Sequence, residues 1–303
     1  MTQTALILGA NGRFGRHAAH AFAKAGWTVT RFDRTRDDLQ AEVAKAQIVV
    51  NAWNPPDYTT WDRDLRGLHQ RVIDAMRHSD ATVIVPGNVY VFGAETPGPW
   101  GADTPHRATN PLGKLRIQVE AAYRDAGIRT IVLRGGDFLD TQATGNWFDM
   151  IMVKQLAKGR LIYPGALDTA HAWAFLPDIT RAAVELAEMC SELPRYADIP
   201  FAGYSFTGTE IASALQTALG SSITAKTLNW VPLKVLAPVW PKLRGLNEMR
   251  YLWNTPHRLD TEPLRQYLPA FEATPVAQAL RAATQFVDLP RGSVQDATWA
   301  SGV

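Results

Sequence analysis

Apolar residues along the chain alternate between short continuous runs and stretches with helical spacing. Residues 5–8 (Ala-Leu-Ile-Leu) form one such run, ending at Gly9. Phe14, Ala18, Ala21, Phe22 and Ala25 then recur at helical intervals up to Gly26, which predicts strand, tight turn and helix. The alternation continues, with strands expected at 28–32, 47–52 and 82–86 and a helix at 65–76. A helix at 112–125, closed by Gly127, leads into residues 129–134, read as a sixth strand. Buried strands alternating with helices predict an α/β chain, a doubly wound parallel sheet with helices on both faces over residues 1–140.

Beyond 140 the period loosens, and tryptophans and prolines become frequent. Helices are expected near 147–158, 178–190, 208–219 and 275–286, separated by short apolar runs. Residues 141–303 are therefore read as a smaller α+β, mainly substrate-binding region packed against the first unit around a shared cleft, with a return of the chain to the sheet near 170–205 left open. Residues 230–243 carry Trp240 and prolines at 232, 238 and 241. They read as an irregular packed connection, or else as a substrate lid, a homodimer contact or a membrane-surface patch.

With 303 residues, 46% hydrophobic and 20% charged, the chain is neither a disordered tail nor a disulfide miniprotein. Thirty-one basic against 29 acidic residues give a formal charge of +2, which does not point to nucleic acid and favours a small-molecule ligand. Cys190 stands alone, so an intramolecular bridge is excluded and a reducing compartment fits. No run of about eighteen apolar residues predicts a membrane span, and no signal-peptide pattern opens the sequence, so a cytoplasmic protein is expected.

The candidate chemistry starts at Gly9, Asn11, Gly12, Arg13, Phe14 and Gly15, between the first strand and the first helix. A dinucleotide site needs glycines there: one for the tight turn, one for close backbone approach to the pyrophosphate, and one for helix–sheet packing. Near the end of the second strand stand Asp33 and Arg34. An acidic group there accepts from the ribose hydroxyls of NAD, whereas arginine pairs with the 2′-phosphate of NADP.

The spacing Gly-x-x-Gly-x-x-Gly resembles that of the extended and atypical short-chain dehydrogenase/reductases, a group of nucleotide-sugar epimerases, dehydratases and NADPH-dependent reductases. The resemblance extends over most of the chain. It takes in residues 49–52 (Val-Val-Asn-Ala, with Ala52 beside the cofactor) as the fourth-strand motif, the strand and loop of 83–93, the segment around Lys114, and residues 173–178. It implies a Rossmann-type fold and NADP as cofactor, with NAD as the alternative; Arg34 takes the place of a phosphate-binding arginine, and Arg13 is expected within reach of the same phosphate.

The resemblance also locates the catalytic segment, where this chain departs from the family. Residues 110–114 (Asn-Pro-Leu-Gly-Lys) occupy the Tyr-x-x-x-Lys position, so Lys114 remains while Asn110 replaces the tyrosine, and Asn88 replaces the serine. The two amides can donate hydrogen bonds but cannot exchange protons. Lys114, desolvated, can serve a proton relay or simply hold cofactor ribose. Tyr90 is the nearby phenol, standing in for the lost acid or packing as a loop aromatic. On the substrate side, Asp137 ends the strand at the crossing between the halves, and Trp147, His171 and Trp173 are candidate pocket residues or core. Asp178 is expected to cap the following helix. His17 and His20 share a face of the first helix without a third ligand and suggest no metal. The implied activity is hydride transfer on a small carbonyl or alcohol. The rival is a dinucleotide-binding sensor that has lost catalysis.

Overall fold

Glycine placement and buried runs position the first half. In the computed structural model, which describes residues 3–289, β1 (Thr4–Leu8), α1 (Arg13–Lys24), β2 (Thr28–Arg31), α2 (Leu39–Val43), β3 (Ile48–Asn51), α3 (Trp61–Met76), β4 (Thr82–Gly87), α4 (Pro111–Asp125) and β5 (Thr130–Arg134) follow in order. The second half contributes β6 (Asp137–Leu139), β7 (Arg160–Tyr163), β8 (His171–Phe175), α5 (Leu176–Glu188), β9 (Tyr196–Pro200), β10 (Tyr204–Phe206), α6 (Gly208–Leu219), β11 (Thr224–Thr227), α7 (Val231–Leu236), α8 (Pro241–Glu248), α9 (Glu262–Tyr267) and α10 (Val276–Thr284). Residues 290–303, the end of the expected second region, lie outside the described part.

The main sheet has six parallel strands in the order β2-β1-β3-β4-β5-β9, a Rossmann-like α/β arrangement. Residues of β1 alternate between its faces. Ala5 and Ile7 enter a core with Phe14, Ala18 and Phe22 of α1 and Ile179, Ala183 and Leu186 of α5. Leu6 and Leu8 enter the opposite core with Leu65 and Val72 of α3 and Leu115 and Val119 of α4. Chain order reverses between β1 and β3, so the loops after these strands flank the crevice where ligands of such sheets collect.

The strand expected as sixth is β5, the fifth in the chain. Between β2 and β3 there is only α2, capped by Asp38, whose side chain accepts from Ala41 N at 2.8 Å. Among the described residues no strand lies outside β2, and the motif expected on a fourth strand sits on β3. Residues 33–47 contain no apolar run long enough for another strand. The sheet is completed from the other side by β9, within the second half.

That half is built around the three-stranded sheet β10-β8-β6 and the pair β11-β7. Helices expected at 178–190, 208–219 and 275–286 match α5, α6 and α10 closely. The helix expected at 147–158 does not form as one piece: a wide turn spans Phe148–Met152, a 3-10 turn spans Leu156–Lys158, and Gly159 at φ 66° ends it. Trp147, Phe148, Met152, Val153 and Leu156 are all buried, and tertiary packing overrides the helical period. Asp178 is not the cap of α5, which begins at Leu176. Its carboxylate receives Thr274 N and Oγ1 at 2.8 Å each and Arg181 at 3.0 Å, fastening the 274 loop to the helix.

Candidate functional site

The glycine turn is shaped by close contacts. Gly9 adopts φ +75°, and a Cβ there would lie 2.9 Å from the Ala52 carbonyl oxygen. Gly12 N donates to Gly9 O at 2.8 Å. A Cβ on Gly15 would stand 2.2 Å from Gly9 O, so only glycine lets α1 pack this tightly on the turn. Gly12 caps α1 with no side-chain cap, leaving first-turn amides for an anion. Asn11 is exposed beside it, and Trp53 closes over Gly9, where its Cδ1 would meet the same added Cβ at 3.2 Å. These features fit a pyrophosphate: an open helix start, a cradle that a side chain would fill, and backbone donors rather than charges.

Two residues expected to contact cofactor are differently engaged. Phe14 is buried in the core of α1, because its ring faces the sheet. Arg13 donates to Thr144 O at 2.9 Å and Gly145 O at 3.4 Å. Arg16 and His17 join it there: both pair with buried Asp140, His17 Nε2 at 2.9 Å. His17 is thus a tether between the halves rather than a packing or surface residue.

At the tip of β2, Asp33 turns into its own loop. Oδ1 accepts from Thr35 N at 3.0 Å and Thr35 Oγ1 at 2.7 Å, and Oδ2 accepts from Arg36 Nε at 2.8 Å. The Thr35 hydrogen bonds and Arg36 hold its carboxyl below the usual range. Arg34 makes no ion pair among the described residues and lies 5.9 Å from the Trp53 ring centroid.

The segment of Asn110 and Lys114 packs against the Tyr90 loop, since a Cβ on Gly113 would lie 2.7 Å from Tyr90 O and 2.8 Å from Asn110 Oδ1, but the four expected catalytic residues have separate partners. Asn110 donates Nδ2 to Glu248 Oε1 at 2.7 Å, and the same oxygen accepts from Leu112 N at 2.6 Å, so Glu248 of α8 fills the anion position at the start of α4. Lys114 is exposed and forms no side-chain hydrogen bond among the described residues. Asn88 closes a small turn by accepting from Tyr90 N at 3.1 Å, while its backbone oxygen accepts from Arg134 Nη1 at 2.5 Å. Arg134 is itself held by Glu120 at 2.8 Å and Asp198 at 2.5 Å in a fully buried network. Burial disfavours its charge, but the two carboxylates outweigh that and keep it firmly protonated. His106, Glu120 and Asp198 face one another with ligand-like spacing, and the Arg134 guanidinium supplies the cation.

Tyr90 does reach the cleft, with a partner the sequence reading missed. Its hydroxyl lies 2.7 Å from that of Tyr58, in the loop between β3 and α3. Trp61 stacks on Tyr90 with centroids 6.2 Å apart. Burial pushes Tyr58 up to about 12, opposed by the Tyr90 hydrogen bond. Burial, followed by Tyr58 and Asp137, raises Tyr90 well above its ordinary value. Both phenols are neutral near pH 7. Tyr58 follows Asn54-Pro55-Pro56-Asp57, a turn-rich stretch after a strand, and that position was its only signal.

Asp137 is half-buried and shares a 2.7 Å contact with His171 Nε2. The other pocket candidates are core. Trp147 and Trp173 are buried with Trp253 and Trp230, and His171 is sandwiched at 3.9 Å on Trp253. Tyr58 and Tyr90 thus lie near enough to Asp137, and Tyr58 to Arg13, to feel their charges, with Asn88 opening the Tyr90 turn.

No protein-family model matches the chain, and no curated protein matches it. Solved structures do. UDP-glucuronic acid 4-epimerase from Bacillus cereus, solved with UDP-glucuronic acid and NAD, aligns at TM-score 0.70 and 17% identity over 94% of this chain and 98% of that one. UDP-glucose 4-epimerase from Brucella ovis, solved with NAD, aligns at 0.68 and 17% over 94% and 98%. A dTDP-4-dehydrorhamnose reductase from Clostridium acetobutylicum aligns at 0.69 and 14% over 93% and 99%. The chain shares the fold of these two epimerases and this reductase.

Proposed function

We propose that this chain is an NAD(P)-dependent oxidoreductase or epimerase-like enzyme that works at a carbonyl or alcohol carbon through a phenol pair instead of the family's tyrosine and lysine. The observation that carries the reading is the Tyr58–Tyr90 contact at 2.7 Å, in loops at the carboxyl ends of neighbouring strands, where the glycine turn also opens. When bound, the dinucleotide supplies or accepts the hydride. Among the residues present, the glycine turn and the amides of α1 hold its pyrophosphate. Tyr90 donates a proton to the substrate oxygen, and Tyr58, bonded to it, restores that proton from the solvent side. Asn88 Nδ2 offers a further donor to the same oxygen. Because both phenols stay protonated, the free site is set for reduction.

NADP(H) is the favoured cofactor. Asp33 is engaged by Thr35 and Arg36, which weakens it as a ribose acceptor, while Arg34 has no carboxylate partner among the described residues. The relatives solved with UDP-sugars make nucleotide sugars the first substrates to assay, alongside small carbonyl compounds. Asn110 tied to Glu248, and Lys114 in water, favour a second reading: a dinucleotide-binding regulator without turnover.

The test is NADPH oxidation over both substrate panels, with NADPH affinity measured by calorimetry. Tyr90→Phe is expected to lower kcat by about 10²-fold and Tyr58→Phe by somewhat less, with cofactor affinity unchanged. Lys114→Met is expected to turn over normally. Phenylalanine variants as fast as the parent would overturn the mechanism, and tight NADPH binding without any turnover would favour the regulator.

A further inference from the structure

Among the described residues, five of the six large apolar side chains that stand exposed fall in one stretch: Val231 (64%), Val235 (69%), Leu236, Val239 (80%) and Trp240 (55%). The stretch is pinned from within. Trp230 Nε1 donates to Pro164 O at 2.7 Å, Leu233 packs into the core of the second half, and Arg244 closes the end of α7 by donating to Pro238 O at 2.7 Å. Val231, Val235 and Val239, four residues apart, therefore point outward from a fixed base. Between Asn229 and Asn247 there is no acidic residue, and Lys234, Lys242 and Arg244 all stand exposed, Lys242 pairing with Asp57 at 3.3 Å. A shallow open cleft lined by Lys234, Pro238, Arg244 and Arg250 adjoins the stripe.

An apolar strip with an aromatic side chain, rimmed by Lys234 and Arg244 with no acidic residue of its own segment, matches the boundary layer of an anionic bilayer. Valine and tryptophan enter the acyl edge while the cations stay among the phosphates. A second copy is the poorer occupant, because a twofold contact through this face sets its cations against their own images. No helix in the described residues is long and apolar enough to cross a membrane, so the contact lies on the surface. We propose that residues 231–244 dock this protein on an anionic lipid surface; the proposal does not depend on the reading of the catalytic site.

The test is sedimentation of the full chain with vesicles of phosphatidylcholine alone or mixed with phosphatidylglycerol. Binding is expected on the mixed vesicles and is expected to weaken as salt rises. Lys234→Gln is expected to weaken it about five-fold, and Val239→Ser with Trp240→Ser roughly ten-fold or more, with far-ultraviolet circular dichroism unchanged. A blue shift of fluorescence on mixed vesicles that is lost in Trp240→Phe places the tryptophan in the lipid. The proposal is overturned by no binding to mixed vesicles, by equal binding to neutral ones, or by a concentration-dependent dimer that Trp240→Ser dissolves.

Discussion

A side-chain carbon at Gly12 and one at Gly15 would meet different surroundings, and two substitutions therefore separate folding from ligand binding. Gly12 has φ −76° and ψ 168°, which any residue adopts. A Cβ there approaches only Gly9 O, at 3.2 Å, which a few tenths of an ångström relieve. Gly12→Val therefore costs about 1 kcal/mol of stability, chiefly as a poorer cap. Its methyl groups occupy the space over the first-turn amides, and dinucleotide affinity is expected to fall at least about 100-fold. At Gly15 the added carbon sits 2.2 Å from Gly9 O and 2.7 Å from Gly9 C, both backbone atoms. Overpacking of about 1–3 kcal/mol or more outweighs the roughly 1 kcal/mol gained by removing glycine from a helix. Gly15→Ala therefore loses stability, while any protein that does fold has a displaced turn. Urea unfolding and calorimetry with NADPH and NADH read the two effects. A Gly12→Val protein that binds both nucleotides like the parent removes the glycine turn from the cofactor site, and a Gly15→Ala protein with an unchanged midpoint refutes the packing argument.

Arg34→Ala is expected to cost NADPH binding about 1.5–3 kcal/mol and NADH little, since only the 2′-phosphate uses that charge; equal losses in calorimetry contradict the NADP preference. Acid is expected to destabilise the protein before its carboxylates titrate. Burial lowers buried His69 from 6.5 to about 3, and burial lowers His106 and His257 too. For His69, between those values the unfolded chain binds the proton that the native imidazole refuses, so its contribution is full above pH 6.5 and falls as pH drops towards 3, by about 1.4 kcal/mol per unit, with His106 and His257 acting in the same direction. A urea midpoint equal at pH 7.5 and pH 5 speaks against this account.

The first half was legible because its signals are local. Runs such as β1 and the period of α1 are set by neighbours in sequence, and the glycine turn declares a backbone that only glycine adopts. The partner of Asn110 was not legible, because spacing along α4 says nothing about Glu248, which arrives from α8 to take the amide. Tyr58 escaped because its meaning depends on Tyr90, which the fold alone brings to it. In the second half, buried tryptophans and His171 serve packing, and a list of aromatic residues does not distinguish a pocket from a core. The exposed stripe at 231–240 was equally ambiguous, since an apolar run looks the same whether it faces inward or out.

Among the described residues β2 is an edge of the main sheet, and such an edge bears on how one molecule meets another. A sheet that ends early leaves a row of unpaired peptide groups, a template onto which another chain can add and grow. Here the terminal strand spans only Thr28–Arg31, three of its four residues are exposed, and it ends in a charge. So short and polar a ribbon offers a neighbouring molecule few hydrogen bonds and no dry surface to lay against. At the opposite margin Leu264 and Leu268, in α9 and at its end, pack in one core with Ala197 and Ile199 of β9. The truncated sheet thus resists lengthwise stacking at one margin by brevity and charge and at the other by a packed helix.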